Sequence, residues 1–169
     1  MDIFAKAILK ELLPTEKETR LPERRQVDPR REGLDHFSLP VVIERIAYLR
    51  KLAKLSDGSA SETIKEYPQH AIMLLYRGRS GVAELHGNFA DLFLVLEGRA
   101  ALVTGGSIAN AKKIAPGEVR GDAIEDGARQ ELRGGDVAHV AAGVPHQMLI
   151  SGEQSIACLV VKIRQEAEQ

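Results

Sequence analysis

The chain has 169 residues, of which 44% are hydrophobic, and this is enough for one domain with a packed core. Its formal net charge is −1 and it contains no tryptophan, so no basic or base-stacking surface for nucleic acid is predicted. The one cysteine, Cys158, has no second cysteine to pair with and lies in an apolar run, which favours a buried position.

The N-terminal third, residues 1–60, is predicted to form a helical and charged arm. Apolar residues recur at near-helical spacing over residues 3–13, but Lys6 and Lys10 interrupt them. The segment is therefore expected to be neither a signal peptide nor a membrane span, and a cytoplasmic location is the default expectation. Residues 14–33 are rich in proline and in charges of both signs, which is typical of an extended, solvated segment.

A second helix is predicted after residue 37. Ser38 is suited to the N-cap position and Pro40 to the first turn. An apolar stripe then follows at helical spacing, and Gly58 is expected to stop the helix. The residues of this stripe are Val42, Ile46, Leu49 and Ala53.

Residues 61–169 are predicted to form an all-β domain. Short β-type runs begin near residue 69 and are separated by turn signals such as Glu97-Gly98 and Gly134-Gly135. Many short antiparallel strands at this spacing indicate a small barrel or sandwich. The runs are AIMLLYR, GVAELH, DLFLVLE, RAALVT, ARQELR, DVAHVA, HQMLIS and IACLVVKI.

The stretch HGNFADLFLVLEG, residues 86–98, places a histidine and an aspartate on either side of a short polar tip. If GVAELH and DLFLVLE form a symmetric hairpin, His86 lies directly opposite Asp91 with both side chains on one face. Phe93 and Val95 share that face, and the leucines between them face the other way, so we expect both faces to be buried. Three interpretations remain open: a metal site, an acid and base that bind a substrate, or a solvated hairpin.

A third converging side chain is predicted from GDVAHVAAGVPHQMLI. The turn at residues 143–145 ends in a proline that fixes the backbone just before His146, and Met148 would face the same way as His146. Two neutral imidazoles and one carboxylate suit a divalent metal that keeps open positions for water or substrate.

Both segments resemble the two motifs of the cupin superfamily. In the first motif a His-any-His pair precedes a glutamate, six residues and a glycine; here His86 matches the first histidine and Asn88 stands at the second. Asp91 replaces the glutamate, and Gly98 follows after the expected gap. The second motif has a Gly-Asp start, a Pro-any-Gly turn and a histidine. Here Gly135-Asp136, the turn Ala141-Ala142-Gly143 and His146 stand at these positions in the same order. The resemblance covers about residues 69–165 and implies a single cupin-type (double-stranded β-helix) barrel behind an N-terminal helical arm.

The resemblance implies a metal-dependent enzyme for a small molecule, of oxygenase, isomerase or lyase type. His86, Asp91 and His146 would hold Mn, Fe, Zn or Ni, and Glu84 is the candidate catalytic residue, with the alternatives of a further ligand or a partner that orients His86. The pocket would be lined by Tyr76, Asn88, Phe93, Val95 and Met148. Two other functions stay open: a non-catalytic cupin that binds a sugar or another small metabolite, and a dimeric interaction module.

The remaining predictions concern assembly and the other charged side chains. The arm and the outward leucines favour a homodimer, because a partner would cover apolar surface that the barrel leaves exposed. No nucleic acid or membrane partner is expected. Arg120 and Arg133 are expected to be solvated charges. Structural or surface roles are expected for His36, His70 and His139.

Overall fold

The computed structural model describes residues 33–165 of the chain. The helix predicted over residues 3–13 and nearly all of the charged segment after it lie outside the described residues. The described residues from 37 onward belong to one compact unit. This unit contains the described helix and all of the described strands.

This unit is an antiparallel β structure with one described helix, as the all-β prediction requires. The helix, α1, is Leu39–Lys54. The strands are β1 (Ser59–Glu66), β2 (His70–Arg77), β3 (Ala83–His86), β4 (Phe89–Thr104), β5 (Ser107–Ile108), β6 (Lys112–Ala115), β7 (Glu118–Gly121), β8 (Ile124–Glu125), β9 (Ala128–Arg133), β10 (Val137–Val140), β11 (His146–Leu149) and β12 (Ile156–Arg164). Strand β1, whose residues are mostly polar, and the short strands β5 to β8 are not predicted from the sequence pattern.

Helix α1 forms where the apolar stripe predicts it. Ser38 is the N-cap residue, although its side chain makes no capping hydrogen bond, and a proline lies in the first turn. The four residues of the predicted stripe are all buried. They pack on β1 and β2 of the same unit, so α1 covers the sheet rather than extending away from it.

Strand β4 is the centre of the sheet. Its first half pairs with β12 and β10, and its second half pairs with β11 and β9. No turn forms at Glu97-Gly98, because β4 continues through both residues; instead the register with β12 shifts just before them, between Val95 and Glu97. Gly98 has a φ of 81°, a left-handed conformation that glycine adopts without steric cost. A bulge therefore replaces the expected turn.

The hairpin predicted between β3 and β4 is also wrong. Strand β3 pairs with β7 and with β11, and the sheet order is β1-β2-β12-β4-β11-β3-β7-β6. The cross-strand partner of His86 is Glu118, not Asp91. A turn at residues 87–88 joins β3 to β4, but these two strands pair with other neighbours and not with each other.

The core lies on one face of this sheet. Phe93 and Val95 alternate along β4 with leucines, and they pack with Met148 and Cys158 in the buried cluster. The opposite face is covered only in part among the described residues: Leu74 is fully buried, whereas Leu94 is 39% exposed. Within one chain the outer side of β4 is thus only partly covered, and its burial beneath a second subunit stays a prediction.

Candidate metal centre

His86, Asp91 and His146 meet in the interior although they come from three different strands. His86 ends β3, His146 begins the neighbouring strand β11, and Asp91 follows the turn that leads into β4. The Nε2 atoms of both histidines lie 3.5 Å from Asp91 Oδ2. One possible ligand atom of each residue lies within 4.8 Å of the others, and all three side chains are buried. The predicted convergence is thus present in the structure, although it arises from a different strand pairing.

Hydrogen bonds on the far side of each ring fix which nitrogen faces the centre. His146 Nδ1 lies 3.1 Å from the carbonyl oxygen of Val144, which can only accept, so Nδ1 carries the proton. His86 Nδ1 lies 2.7 Å from a carboxylate oxygen of Glu118, which likewise accepts. In the neutral rings both Nε2 atoms therefore present lone pairs to Asp91 Oδ2. Three electron-rich atoms then face one another, whereas a proton on His146 Nε2 would instead hydrogen-bond to Asp91.

The spacing of these atoms fits a shared cation better than direct hydrogen bonds. A charge-assisted N–H···O bond spans about 2.7–2.9 Å, whereas the two Nε2–Oδ2 distances are 3.5 Å. Two ligands that are each about 2.1 Å from one ion lie roughly 3.0–3.4 Å apart in octahedral or tetrahedral geometry. The donor set is two imidazoles and one carboxylate, which suits Mn, Fe, Zn or Ni. The residues present therefore fit a divalent metal.

Lys162 holds the second oxygen of Asp91, with Nζ 2.8 Å from Oδ1. Burial raises the pKa of Asp91, but the contact with His146 and the charge of Lys162 lower it by more, so its pKa lies below the ordinary value. The carboxyl group is consequently ionised at neutral pH, which is the form that binds a cation.

Glu84 lies at the edge of the cluster, on the same strand as His86. Its Oε2 atom is 3.6 Å from His86 Nε2 and 3.1 Å from Arg120 Nη2, and Arg77 approaches its other oxygen at 3.7 Å. The carboxylate is partly exposed, so it can meet both the cluster and an incoming molecule. The expectation that Arg120 is a solvated charge is wrong, because Arg120 also pairs with Glu118.

Glu118 is a site residue that the sequence pattern does not predict. It begins β7, inside the charged, glycine-containing stretch that follows β4. The signal that would have identified it is the cross-strand register of His86 and Glu118, which only the β3–β7 pairing reveals. Nothing in the spacing along the chain links the two residues.

The predicted apolar pocket residues lie beneath the cluster. Phe93 and Val95 follow Asp91 at alternate positions on β4, and Met148 follows His146 on β11. All three belong to the buried core cluster. Alternation along each strand puts them on the same faces as the site residues.

The other two predicted pocket residues are elsewhere. Asn88 is exposed in the turn between β3 and β4, where its amide group lies beside Gly117. Tyr76 alternates with Met73 and Leu75, which pack on the core, and its ring lies 5.4 Å from the guanidinium of Arg50 on α1. The structure therefore places Tyr76 on the helix side of the sheet.

The described residues also line an open groove of about 820 Å³ along β9 and β10. It contains the exposed side chains of Arg133 and His139 but none of the three clustered residues. His70 stacks on Tyr67 with ring centroids 4.4 Å apart.

No helix within residues 33–165 is sufficiently long and apolar to span a membrane.

Of the comparisons with known proteins, only the one with solved structures found similar proteins. No protein-family model and no curated protein sequence matches the chain. An uncharacterised protein with a double-stranded β-helix domain from Klebsiella pneumoniae is 18% identical, with a TM-score of 0.49 over 67% of this chain and 84% of that one. The polyketide cyclase RemF from Streptomyces resistomycificus is 16% identical, with a TM-score of 0.46 over 64% and 68% of the chains. The Cnp3 cupin domain from Schizosaccharomyces pombe is 12% identical, with a TM-score of 0.46 over 63% and 64%. The described chain has the all-β, antiparallel architecture that the sequence motifs imply.

Proposed function

We propose that this protein is a metal-dependent enzyme that acts on a small molecule, with a divalent metal held by His86, Asp91 and His146. The observation that carries the proposal is the convergence of two imidazole Nε2 atoms and one carboxylate oxygen in a buried place. With both rings neutral, a cation at the centre would stabilise this set by accepting all three electron pairs, in addition to the ion pair between Asp91 and Lys162. Three protein ligands leave positions open for a substrate.

The metal, when bound, supplies a Lewis acid that polarises a substrate oxygen. Side chains of the protein bind the metal, orient its ligands and limit the access of water. Asp91 contributes the negative charge, and Lys162 keeps its carboxylate in one orientation. Phe93 and Met148 close the apolar interior beneath the cluster, which limits the access of water from that side. Oxygenase, isomerase and lyase chemistry are all compatible with this arrangement.

Glu84 is the proposed acid–base residue. Its carboxylate lies next to His86 Nε2 and is partly exposed, so it can take a proton from a substrate bound at the same centre. Arg120 holds it in place through an ion pair of 3.1 Å.

A homodimer stays a prediction. Among the described residues, the exposed outer-face side chains of Leu94 and Val137 would contribute to its interface.

Metal content tests the proposal. We expect protein purified without a tag and dialysed against Mn, Fe, Zn or Ni to retain about one metal ion per chain, and His86→Ala and His146→Ala to retain almost none. His139→Ala is the matched control, because His139 is exposed and is not part of the cluster. Equal metal in all four proteins would refute the proposed site.

Turnover tests the assignment as an enzyme. If Glu84 is the acid–base residue, Glu84→Gln should bind metal as the parent does and lose at least about 100-fold in kcat on any substrate found by screening, in line with the usual contribution of such a residue. A protein that binds metal and small ligands but turns over none of them would instead be the non-catalytic binding module.

A further inference from the structure

The hydrogen bond from His86 to Glu118 joins the site to a strand that no sequence motif covers. His86 Nδ1 and Glu118 Oε2 are 2.7 Å apart, which is short for a nitrogen–oxygen hydrogen bond and typical of one that a carboxylate accepts. The two residues are direct cross-strand partners on β3 and β7. Their side chains therefore project from the same face at close range.

We propose that Glu118 is a positioning residue that holds His86 in the Nδ1–H tautomer and aims its Nε2 atom at the metal centre. The proposal rests on the proposed function only for its metal-binding consequence; the tautomer itself is a property of the metal-free protein. A ring without this acceptor is free to carry its proton on Nε2, where the lone pair is needed. It is also free to rotate away from Asp91.

The surroundings of Glu118 keep its carboxylate in place. Arg120 Nη1 lies 3.3 Å from the same oxygen that accepts from His86, and Arg120 reaches Glu84 with its other terminal nitrogen. One guanidinium thus spans the two carboxylates on either side of His86. The imidazole of His86 thus lies between Glu84 and Glu118, and both carboxylates are held by Arg120.

The backbone next to the pair is also tightly fixed. The amide of Gly87 donates to the carbonyl oxygen of Gly117 at 2.6 Å. A Cβ added at Gly87 would lie 3.2 Å from Gly117 Cα, which is closer than most real Cβ contacts. This close approach fixes the β3–β7 register immediately beside His86 and Glu118, and the register keeps donor and acceptor opposite each other.

His146 provides an internal reference within the same molecule. Its Nδ1 atom donates to the backbone carbonyl of Val144, so no side-chain substitution at Glu118 removes its acceptor. A change at Glu118 should therefore alter the ring of His86 and leave the ring of His146 unchanged. A general loss of structure would alter both.

The experiment combines nitrogen NMR of the histidine rings in metal-free protein with Zn²⁺ affinity. In the parent and in Glu118→Gln, whose amide oxygen still accepts, we expect His86 to remain in the Nδ1–H tautomer. In Glu118→Ala we expect a mixture of tautomers at His86 and a Zn²⁺ affinity lowered roughly 10- to 100-fold, the range typical of a lost partner to a metal-binding histidine. Glu153→Ala, in the exposed turn before β12, is the control and should match the parent.

The two measurements separate failure of this inference from failure of the proposed function. Unchanged His86 tautomers in Glu118→Ala would overturn the positioning role whatever the affinity. A parent that binds no Zn²⁺ would end the metal proposal, but a tautomer change confined to His86 would still support the role of Glu118. An equal change at His86 and His146 would indicate general loss of structure and would also count against the proposal.

Discussion

At the scale of single residues, Cys158 shows how strongly the interior disfavours charge. Its thiol is fully buried in the core cluster, and burial raises its pKa to about 12 against a small opposing effect of Arg77. In the unfolded chain the thiol has its ordinary pKa of 9.0, so the unfolded state loses its proton first as the pH rises. The stability that this group contributes is therefore complete below about pH 9 and decreases between about pH 9 and 12.

Chemical unfolding at several pH values tests this prediction. We expect the unfolding constant of the parent to gain about one factor of ten per pH unit in that range from this group. Cys158→Ala lacks the titrating thiol but shares every other group, so its stability deficit relative to the parent should shrink as the pH rises above 9. A deficit that is constant from pH 7 to 11 would contradict the raised pKa.

The native protein should also react slowly with thiol reagents, since the thiolate is the reactive form.

The site residues differ in how far the sequence reveals them. His86, Asp91 and His146 could be predicted, because motif spacing, the proline before His146 and strand alternation are all local features. Glu118 could not, because its role depends on a pairing between strands that are 32 residues apart. The position of Tyr76 near the end of a strand predicts a pocket residue, but alternation relative to Met73 and Leu75 puts it under α1.

At the scale of elements, β4 requires glycine at position 98, next to its bulge. A Cβ at this position would overlap the carbonyl oxygen of Ser155, a backbone atom that precedes β12. The residue also has a φ of 81°, which costs a residue with a side chain about 1–2 kcal/mol. We expect Gly98→Ala to lower the free energy of unfolding by more than about 3 kcal/mol, or to prevent folding, because both effects act together.

Gly135→Ala is the matched control for that substitution. Gly135 has a φ of 94°, but a Cβ there would meet nothing within 4 Å, so only the backbone cost applies. Urea unfolding should show a loss of about 1–2 kcal/mol for this variant. If the two alanine variants are equally stable, contact with Ser155 is not what requires glycine in β4.

Element positions were more predictable than element pairing. The runs of apolar residues located α1, β2 and most later strands, because periodicity and turn residues are visible within a few positions. Strand order was not visible: β3 pairs with β7 and β11 because of contacts between residues far apart in sequence. Glu97-Gly98 carries the composition of a turn, but the pairing of β4 with β12 overrides that local preference.

At the scale of the whole molecule, the candidate site ties together distant parts of one ten-stranded sheet. His86 and Asp91 are close in the chain, but His146 comes from a strand about 60 residues later. An unfolded chain cannot hold these three side chains around one ion, so metal binding and folding are thermodynamically linked. Any metal that binds the native state alone must therefore raise its stability.

Thermal unfolding measures this linkage directly. With free Zn²⁺ at about 100 times its dissociation constant, the native state gains about 2.7 kcal/mol, which corresponds to a rise in Tm of roughly 10 °C for a domain of this size. We expect the rise in the parent and in His139→Ala, and its reversal by a chelator. His146→Ala should show no comparable rise, because the ion would lose the ligand that joins β11 to the other two. A rise of the same size in His146→Ala would mean that Zn²⁺ stabilises the protein from another place, and the linkage through this cluster would be wrong.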